Sequence, residues 1–201
     1  MSIMPTRSMR ATLTGNRVCL RPPRRADQSA FIAGVRASRK LHGRWVSAPQ
    51  TPTAYGLYLA RFAHATREPL HAGLLACRVT DGALAGVFNF SEIVRGAFQS
   101  AYLGYYAFAP LAGQGLMTEA FALTLDVAFR RLDLHRVEAN VQPDNARSLA
   151  LLERVGFVRE GYSRRYIKLA GRWRDHVRLA MLAEDWRVRR TALRAAVGLA
   201  R

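Results

Sequence analysis

The sequence predicts a single mixed α/β domain, and three observations lead there. The apolar period switches between helical and strand spacing several times along the 201 residues, no segment repeats, and no Pro-, Gly- or Ser-rich stretch divides the chain. Half of the residues are apolar and 22 % are charged, which suits a packed core and excludes disordered, collagen-like and low-complexity chains. No apolar run is long enough to cross a bilayer, and Arg7 and Arg10 are not followed by the apolar stretch of a secretion signal, so a cytoplasmic protein without a membrane partner is expected. Cys19 and Cys77 can neither build a disulfide framework nor, without spaced partners, hold zinc; they are expected as reduced structural thiols, with no metal site.

Residues 1–16 are polar and aperiodic and read as a loose arm. Val18-Cys19-Leu20-Arg21 predicts a first strand, stopped by Pro22 and Pro23, neither of which can donate to a ladder. Phe31, Ile32 and Val35 within 27–39, then Leu57, Leu59 and Phe62 within 53–67, predict two helices. The aperiodic stretch 41–52 between them reads as a substrate-side loop. Strand periods at 74–79, 84–90 and 102–108, separated by the turn signals Asp81-Gly82 and Arg95-Gly96, predict an antiparallel meander. Residues 116–132 return to helix, with Met117, Phe121, Leu125, Ala128 and Leu132 on one face and Asp126 in reach of Arg130. A strand at 135–141, a helix at 146–155 closed by Gly156, and strands at 157–167 and 173–182 complete a domain over 17–186. The tail 187–201 carries Arg187, Arg189, Arg190, Arg194 and Arg201 without an acid, and its Leu193 and Val197 allow either an amphipathic helix or disorder.

The 31 basic residues against 14 acidic ones give a net charge of +17, which points to a polyanionic partner such as RNA. All of them except Lys40 and Lys168 are arginines, a skew that codon usage produces as easily as phosphate recognition.

The most informative segment is Pro110-Leu111-Ala112-Gly113-Gln114-Gly115-Leu116-Met117-Thr118-Glu119, between a strand and a strongly periodic helix. Two glycines let the backbone approach a ligand closely, and the first amides of the helix point outward unpaired, so a phosphate group is the natural guest. No Lys-Ser/Thr follows, as in a P-loop, and the third glycine of a dinucleotide fingerprint is missing. By itself the pair of glycines is also compatible with an ordinary turn into a helix.

Downstream lie Pro143-Asp144-Asn145-Ala146-Arg147-Ser148-Leu149 and Leu152-Glu153-Arg154-Val155-Gly156-Phe157. With the glycine loop before them, these segments resemble the GCN5-related N-acetyltransferase (GNAT) superfamily. Asn89–Gly96, Tyr102-Leu103-Gly104-Tyr105, Gly115–Ala120 and Gly171-Arg172-Trp173-Arg174-Asp175-His176 look like the bacterial ribosomal-protein-alanine N-acetyltransferases of the Rim type. The resemblance runs from about Val18 to Trp186. It implies a GNAT-type mixed sheet of about six to seven strands, with helices on both faces and strands splayed at the acetyl-CoA site. It implies acetyl-CoA as cofactor, held by Tyr106, Ala107, Phe108, Gly113, Gln114, Gly115, Leu116, Met117, Thr118, Asn140, Asn145 and Ser148. The implied activity is acetylation of a protein's N-terminal α-amino group, an alanine of a ribosomal protein, with the arginine excess, Arg187, Arg189 and Arg190 included, facing the ribosome. Two departures stand out: Ala112 replaces the usual Arg or Gln of the loop, and Leu152 replaces the tyrosine that protonates the departing thiolate in many relatives. Ser148, one turn earlier on the same helical face, becomes the candidate acid.

Acyl transfer from a thioester needs a neutral amine, a stabilised oxyanion and a proton for the thiolate. An α-amine titrates roughly 2 units below lysine, which favours N-terminal acceptors. Backbone amides near Tyr106 and Ala107 are expected to meet the oxyanion. Glu92, Asp175 and His176 are the candidates for a base or proton wire, although Glu92 can equally sit on a solvated strand end, Asp175 can anchor the hairpin, and Ser148 can bond back to its own helix. Tyr105 and Tyr106 alternate in facing, so at most one is expected to look into the cleft. Trp45 and Trp173 read as packing residues. Two other functions fit the residues less well: acetylation of a small amine such as an aminoglycoside or polyamine, and a non-catalytic ribosome- or RNA-binding role.

Overall fold

The structure, a computed structural model, describes residues 12–62, 69–169 and 171–199. In chain order its strands are β1 (Leu13–Thr14), β2 (Val18–Arg21), β3 (Ala72–Arg78), β4 (Leu84–Val94), β5 (Ser100–Ala107), β6 (Arg136–Val141), β7 (Val158–Leu169) and β8 (Arg172–Leu182). The helices are α1 (Gln28–Ala37), α2 (Arg39–His42), α3 (Pro52–Ala60), α4 (Leu116–Arg130), α5 (Ala146–Val155) and α6 (Ala183–Ala196). All eight strands form one sheet in the order β1-β2-β3-β4-β5-β6-β8-β7, antiparallel except where β5 meets β6.

Alternation along the strands divides the core between the two faces of the sheet. On β3, Leu74 and Ala76 join the cluster built around α4 and α5, whereas Leu75 and Cys77 join Phe31, Ile32 and Val35 of α1 and Tyr55 and Tyr58 of α3. Helices thus cover both faces, as expected. Local chemistry sets several boundaries. Thr51 caps α3 by accepting from the Ala54 amide at 3.2 Å, with Pro52 in the first turn. Asn145 caps α5 from its side chain, and Gly156, at φ 102°, stops it.

The feature that makes a site is the divergence of β5 from β6. The β4–β5 ladder runs to Ala107, but the parallel pairing of β5 with β6 ends at Tyr102 opposite Glu138. Beyond that point β6 continues to Val141 paired only with β8. The result is a wedge-shaped gap between residues 103–107 and 139–141.

The structure corrects several expectations. Among the described residues there are eight strands rather than six to seven, because Leu13 and Thr14, in the expected arm, pair with Leu20 and Cys19. The stretch 41–52 begins inside α2, and of the helix expected over 53–67 the described part ends at Ala60, with 63–68 outside the described residues. α6 runs unbroken across the boundary expected at 186, because α4 is buried on nearly every side and α6 covers its outer flank. Asp126 therefore turns not to Arg130 but to α6, accepting from Arg190 Nε at 2.6 Å, Arg194 Nη1 at 2.8 Å and Trp186 Nε1 at 3.3 Å. A carboxylate this deeply buried needs partners of opposite charge. Arg189 donates to the carbonyls of Val155 and Arg154 at 3.2 and 2.8 Å, satisfying the C-terminal end of α5.

Candidate active site

Two cavities open into the gap. The larger, about 440 Å³, lies toward α2 and α4 and reaches His42, Ala107 and Met117. The smaller, about 260 Å³, lies toward the β7–β8 hairpin and reaches Asn89, Asn140, Ile167, Leu169 and His176. Trp45, Val46, Tyr105, Tyr106, Asn145 and Ser148 line both, so the two spaces meet at these residues. Both Tyr105 and Tyr106 reach the cleft, against the expectation of one. Their rings leave opposite faces of the sheet, Tyr105 packing on Phe121 and Phe88 and Tyr106 on His42 and Phe108, but where β6 has left the sheet both flank the open edge.

At the head of the larger cavity the chain makes the glycine turn into α4. Gly113 and Gly115 have φ of 80° and 77°, the left-handed region that a residue with a Cβ rarely adopts. A Cβ on Gly113 would meet nothing within 4 Å, so this side of the turn is open to a ligand. The amides of Leu116 and Met117 have no intrahelical acceptor, whereas that of Thr118 is already given to the Gly115 carbonyl at 3.1 Å. Leu116 offers the site only its amide, because its side chain is in the core. Ala112 gives the loop no side-chain donor, but a cation reaches it from the far end of the domain: Arg17 donates to the Gln114 carbonyl at 3.1 Å, and its Nη2 would lie 3.2 Å from a Cβ on Gly115. Glu119, fully buried, accepts from the amides of Arg17 and Val18 at 2.8 and 3.1 Å and so fixes the start of β2 beside the loop.

At the junction of the cavities, the Ser148 hydroxyl lies 2.5 Å from the Tyr105 hydroxyl. Ser148 does not bond back to its helix through that hydroxyl. Burial pushes the Tyr105 phenol well above its ordinary range, against the bond to Ser148, so it keeps its proton. Asn145 accepts the Ser148 amide at 3.3 Å while lining both cavities, and serves as helix cap and cavity wall together.

The strand end sorts the backbone groups. Phe108 donates its amide to Ala85 at 2.9 Å, and ladder alternation then turns the Tyr106 amide toward β4 and the Ala107 amide toward the gap. The Ala107 carbonyl, on the same side, meets His42 Nε2 at 2.8 Å. Phe108, expected in the cofactor site, instead packs its ring among Phe31, His42 and Tyr106 and lines neither cavity.

The candidate bases separate clearly. Glu92 is exposed, sits at φ 49° in an irregularity of β4, and lines neither cavity. Asp175 is committed to the hairpin, accepting from the Tyr162 hydroxyl at 2.5 Å and the Arg165 amide at 2.7 Å, bonds that hold its carboxyl below the ordinary range. Neither reaches the site. His176 is buried and lines the smaller cavity. Trp45, expected as packing, walls both cavities from the segment after α2. Its ring lies 4.5 Å below the Arg44 guanidinium, and Arg44 forms an ion pair with Asp144 that ties this segment to the turn before α5. Trp173 is 59 % exposed at the hairpin and does not pack in the core. Among the described residues no group of His, Cys, Asp and Glu is arranged to hold a metal ion.

Residues 17–158 match the family model for the acetyltransferase (GNAT) domain. The chain is 42 % identical over 118 residues to the protein named Probable N-acetyltransferase YjcK of Bacillus subtilis (strain 168), covering 59 % of this chain and 64 % of that protein. It is 45 % identical over 103 residues to the ribosomal protein uS5-alanine N-acetyltransferase of Escherichia coli (strain K12), covering 51 % of this chain and 53 % of that protein. The matches therefore span about half to two thirds of the length of these relatives. Mycobacterium smegmatis RimJ, solved in complex with CoA-disulfide, superposes with a TM-score of 0.82 at 28 % identity, covering 94 % of this chain and 96 % of that one.

Proposed function

Because the chain belongs to the GNAT acetyltransferase family, we propose that it transfers the acetyl group of acetyl-CoA to the N-terminal α-amino group of a protein, an alanine of a ribosomal protein. The observation that carries the reading is the gap itself, a split in the sheet entered by one cavity from the glycine loop and by another from the hairpin, with Ser148 and Tyr105 where they meet. The 45 % identity to a uS5-alanine acetyltransferase supports the acceptor class.

The residues fit acetyl-CoA. The amides of Leu116 and Met117 at the start of α4, with the Arg17 guanidinium beside them, suit an anionic pyrophosphate. The larger cavity, walled by Leu41, Val46, Met117 and Leu151, suits an uncharged arm, with Asn145 supplying polar contact. Acetyl-CoA supplies an acetyl group activated as a thioester. Within the gap, Ala107 offers its amide to developing negative charge, and the Ser148 hydroxyl, oriented by Tyr105, holds a proton for the leaving sulfur.

The lining argues against a polycationic small amine as acceptor. Among the described residues the smaller cavity has no carboxylate in its lining, and the one carboxylate lining the larger, Asp144, is engaged by Arg44. An RNA-rich neighbour belongs to the same proposal, but its contact surface moves from the tail, where Arg189, Arg190 and Arg194 make internal bonds, to the β7–β8 hairpin. There Arg159, Arg164, Arg165, Lys168 and Arg172 are exposed, while Glu160 and Asp175 are occupied by Arg136 and by Tyr162. A cytoplasmic location agrees with this reading, and no helix among the described residues is long and apolar enough to cross a membrane.

The test offers acetyl-CoA with a short Ala-starting peptide, its N-terminally blocked twin carrying a free lysine, and an aminoglycoside, and measures thiol release. The free-terminus peptide is expected to turn over fastest. Faster turnover of the blocked peptide or of the drug overturns the acceptor assignment.

A further inference from the structure

We propose that the smaller cavity seats the acceptor amine, with Asn140 Oδ1 accepting one of its N–H bonds and His176 Nε2 receiving the proton it gives up. The inference rests on the acetyltransferase reading above and assigns the base which that reading leaves open.

The tautomer of His176 follows from its neighbour. Its Nδ1 lies 3.0 Å from the Arg174 carbonyl, which can only accept, so Nδ1 carries the hydrogen and Nε2 of the neutral ring carries the lone pair. No hydrogen bond within the described residues uses Nε2, and the ring is part of the cavity wall. The imidazole is 3 % exposed, and this burial lowers its pKa, against the raising effects of the Arg174 carbonyl and Asp175, so it is a neutral base at neutral pH.

Asn140 supplies the second, independent observation. Asn140 lines the same cavity, and its Oδ1 is buried without a hydrogen-bond partner among the described residues. A buried acceptor left unpaired is destabilising because it has given up its bond to water, and an amine seated in this cavity satisfies it. The Tyr106 hydroxyl, also buried and unpartnered, lines the same space.

Among the described residues the lining of the smaller cavity holds no other imidazole and no carboxylate; His42 lines the larger cavity and meets the Ala107 carbonyl through Nε2. From β8 the ionisable groups around His176 are Asp175, held by Tyr162 and the Arg165 amide, and Arg174 and Arg178. From β7 the Tyr166 ring stands 6.1 Å from the imidazole, its hydroxyl 3.2 Å from that of Tyr102 on β5. Tyr105 and Tyr106 of β5 keep their protons because burial raises both pKa values. From β6, Glu138 is paired with Arg136.

The step balances. The amine nitrogen forms a bond to the acetyl carbon as the C–S bond breaks. The amine proton passes to His176 Nε2, the sulfur takes a proton from the Ser148–Tyr105 pair, and solvent carries one proton from the imidazolium back to that pair.

His176→Asn keeps a donor for the Arg174 carbonyl and removes Nε2. On whichever amine the wild type acetylates, the variant is expected to lose about 10²-fold in kcat/KM. The wild-type kcat/KM should fall with slope 1 below the amine's pKa and slope 2 below that of His176, and the variant should show slope 1 throughout. Asn140, expected in the cofactor site, lines the smaller cavity and not the larger, so Asn140→Ala is expected to raise the acceptor KM and leave acetyl-CoA affinity unchanged. A His176→Asn rate within about twofold of wild type, or a slope of 2 that survives the substitution, overturns the proposal. Nitrogen-15 NMR of the unliganded protein gives a readout that needs no turnover: a protonated Nδ1 and bare Nε2 are expected, and the opposite tautomer overturns the assignment. Because these measurements use any accepted amine, failure of the N-terminal acceptor reading leaves them intact, and their failure leaves that reading intact.

Discussion

The hydroxyl oxygens of Ser148 on α5 and Tyr105 on β5 stand 2.5 Å apart at the junction of the two cavities. A tyrosine thus lies where the proposed mechanism puts the leaving sulfur, although the resemblance implies a tyrosine at the helical place of Leu152, which is fully buried. Because either hydroxyl can carry the proton, single substitutions should be partly compensated. Ser148→Ala and Tyr105→Phe are each expected to lower kcat by roughly tenfold, and the double variant by about 10²-fold, with acetyl-CoA affinity little changed. Steady-state kinetics with calorimetric acetyl-CoA titration check this. A double variant with wild-type kcat removes the pair from the chemistry.

Gly115→Val would put a β-branched residue at φ 77° and its Cβ 3.2 Å from Arg17 Nη2. Such a residue in the left-handed region costs about 1–3 kcal/mol, and relief of that strain would turn the Leu116 and Met117 amides away from their present direction. Acetyl-CoA affinity should drop by about tenfold or more, measured by calorimetry on variant protein shown by circular dichroism to be folded. Unchanged affinity would count against the glycine loop as the pyrophosphate site.

Much of this fold was legible because its signals are local. The Gly-x-Gly turn, the Asn145 cap and the Gly156 stop each act within one or two helical turns, and α5 has the bounds read from them. What stayed hidden depends on partners distant in sequence. Nothing near Arg17 indicates that it adjoins Gln114, and the tail leaves open a helix or disorder because Asp126, which binds Arg190 and Arg194, is more than sixty residues away. Phe108 and Asp175 line neither cavity for a related reason. A strand's alternation gives the face, but whether that face meets a cleft, a core or a hairpin bulge is decided by the β5–β6 divergence and the register shift in β7.

Removal of residues 187–201 should therefore act first on stability. It deletes Arg190 and Arg194 from Asp126, Arg189 from the end of α5, and the buried Leu193. Leaving a buried carboxylate without its partners costs about 3–5 kcal/mol. Thermal denaturation should show a drop in Tm of several degrees, partly recovered by adding Asp126→Asn to the truncated chain. A truncated protein with wild-type Tm would mean that the segment contributes nothing to the stability of the domain.

The β7–β8 hairpin is expected to be the surface that faces RNA. Its exposed Arg164, Arg165 and Lys168 lie outside the lining of either cavity, so changing their charge should spare chemistry on a free peptide. Each lysine or arginine that neutralises a phosphate releases counterions, and the logarithm of the association constant falls with the logarithm of salt in proportion to their number. Replacing the three with Glu is expected to weaken association with ribosomal particles most at low salt and to flatten the salt slope by about 2–3. Turnover of the Ala-starting peptide should stay within about twofold of wild type, as surface changes away from a site usually allow. Binding to ribosomal particles is read by co-sedimentation over a range of salt concentrations. An unaltered slope would exclude the hairpin as the contact, and equal losses on peptide and particle would mean that these residues act on the fold rather than on a partner.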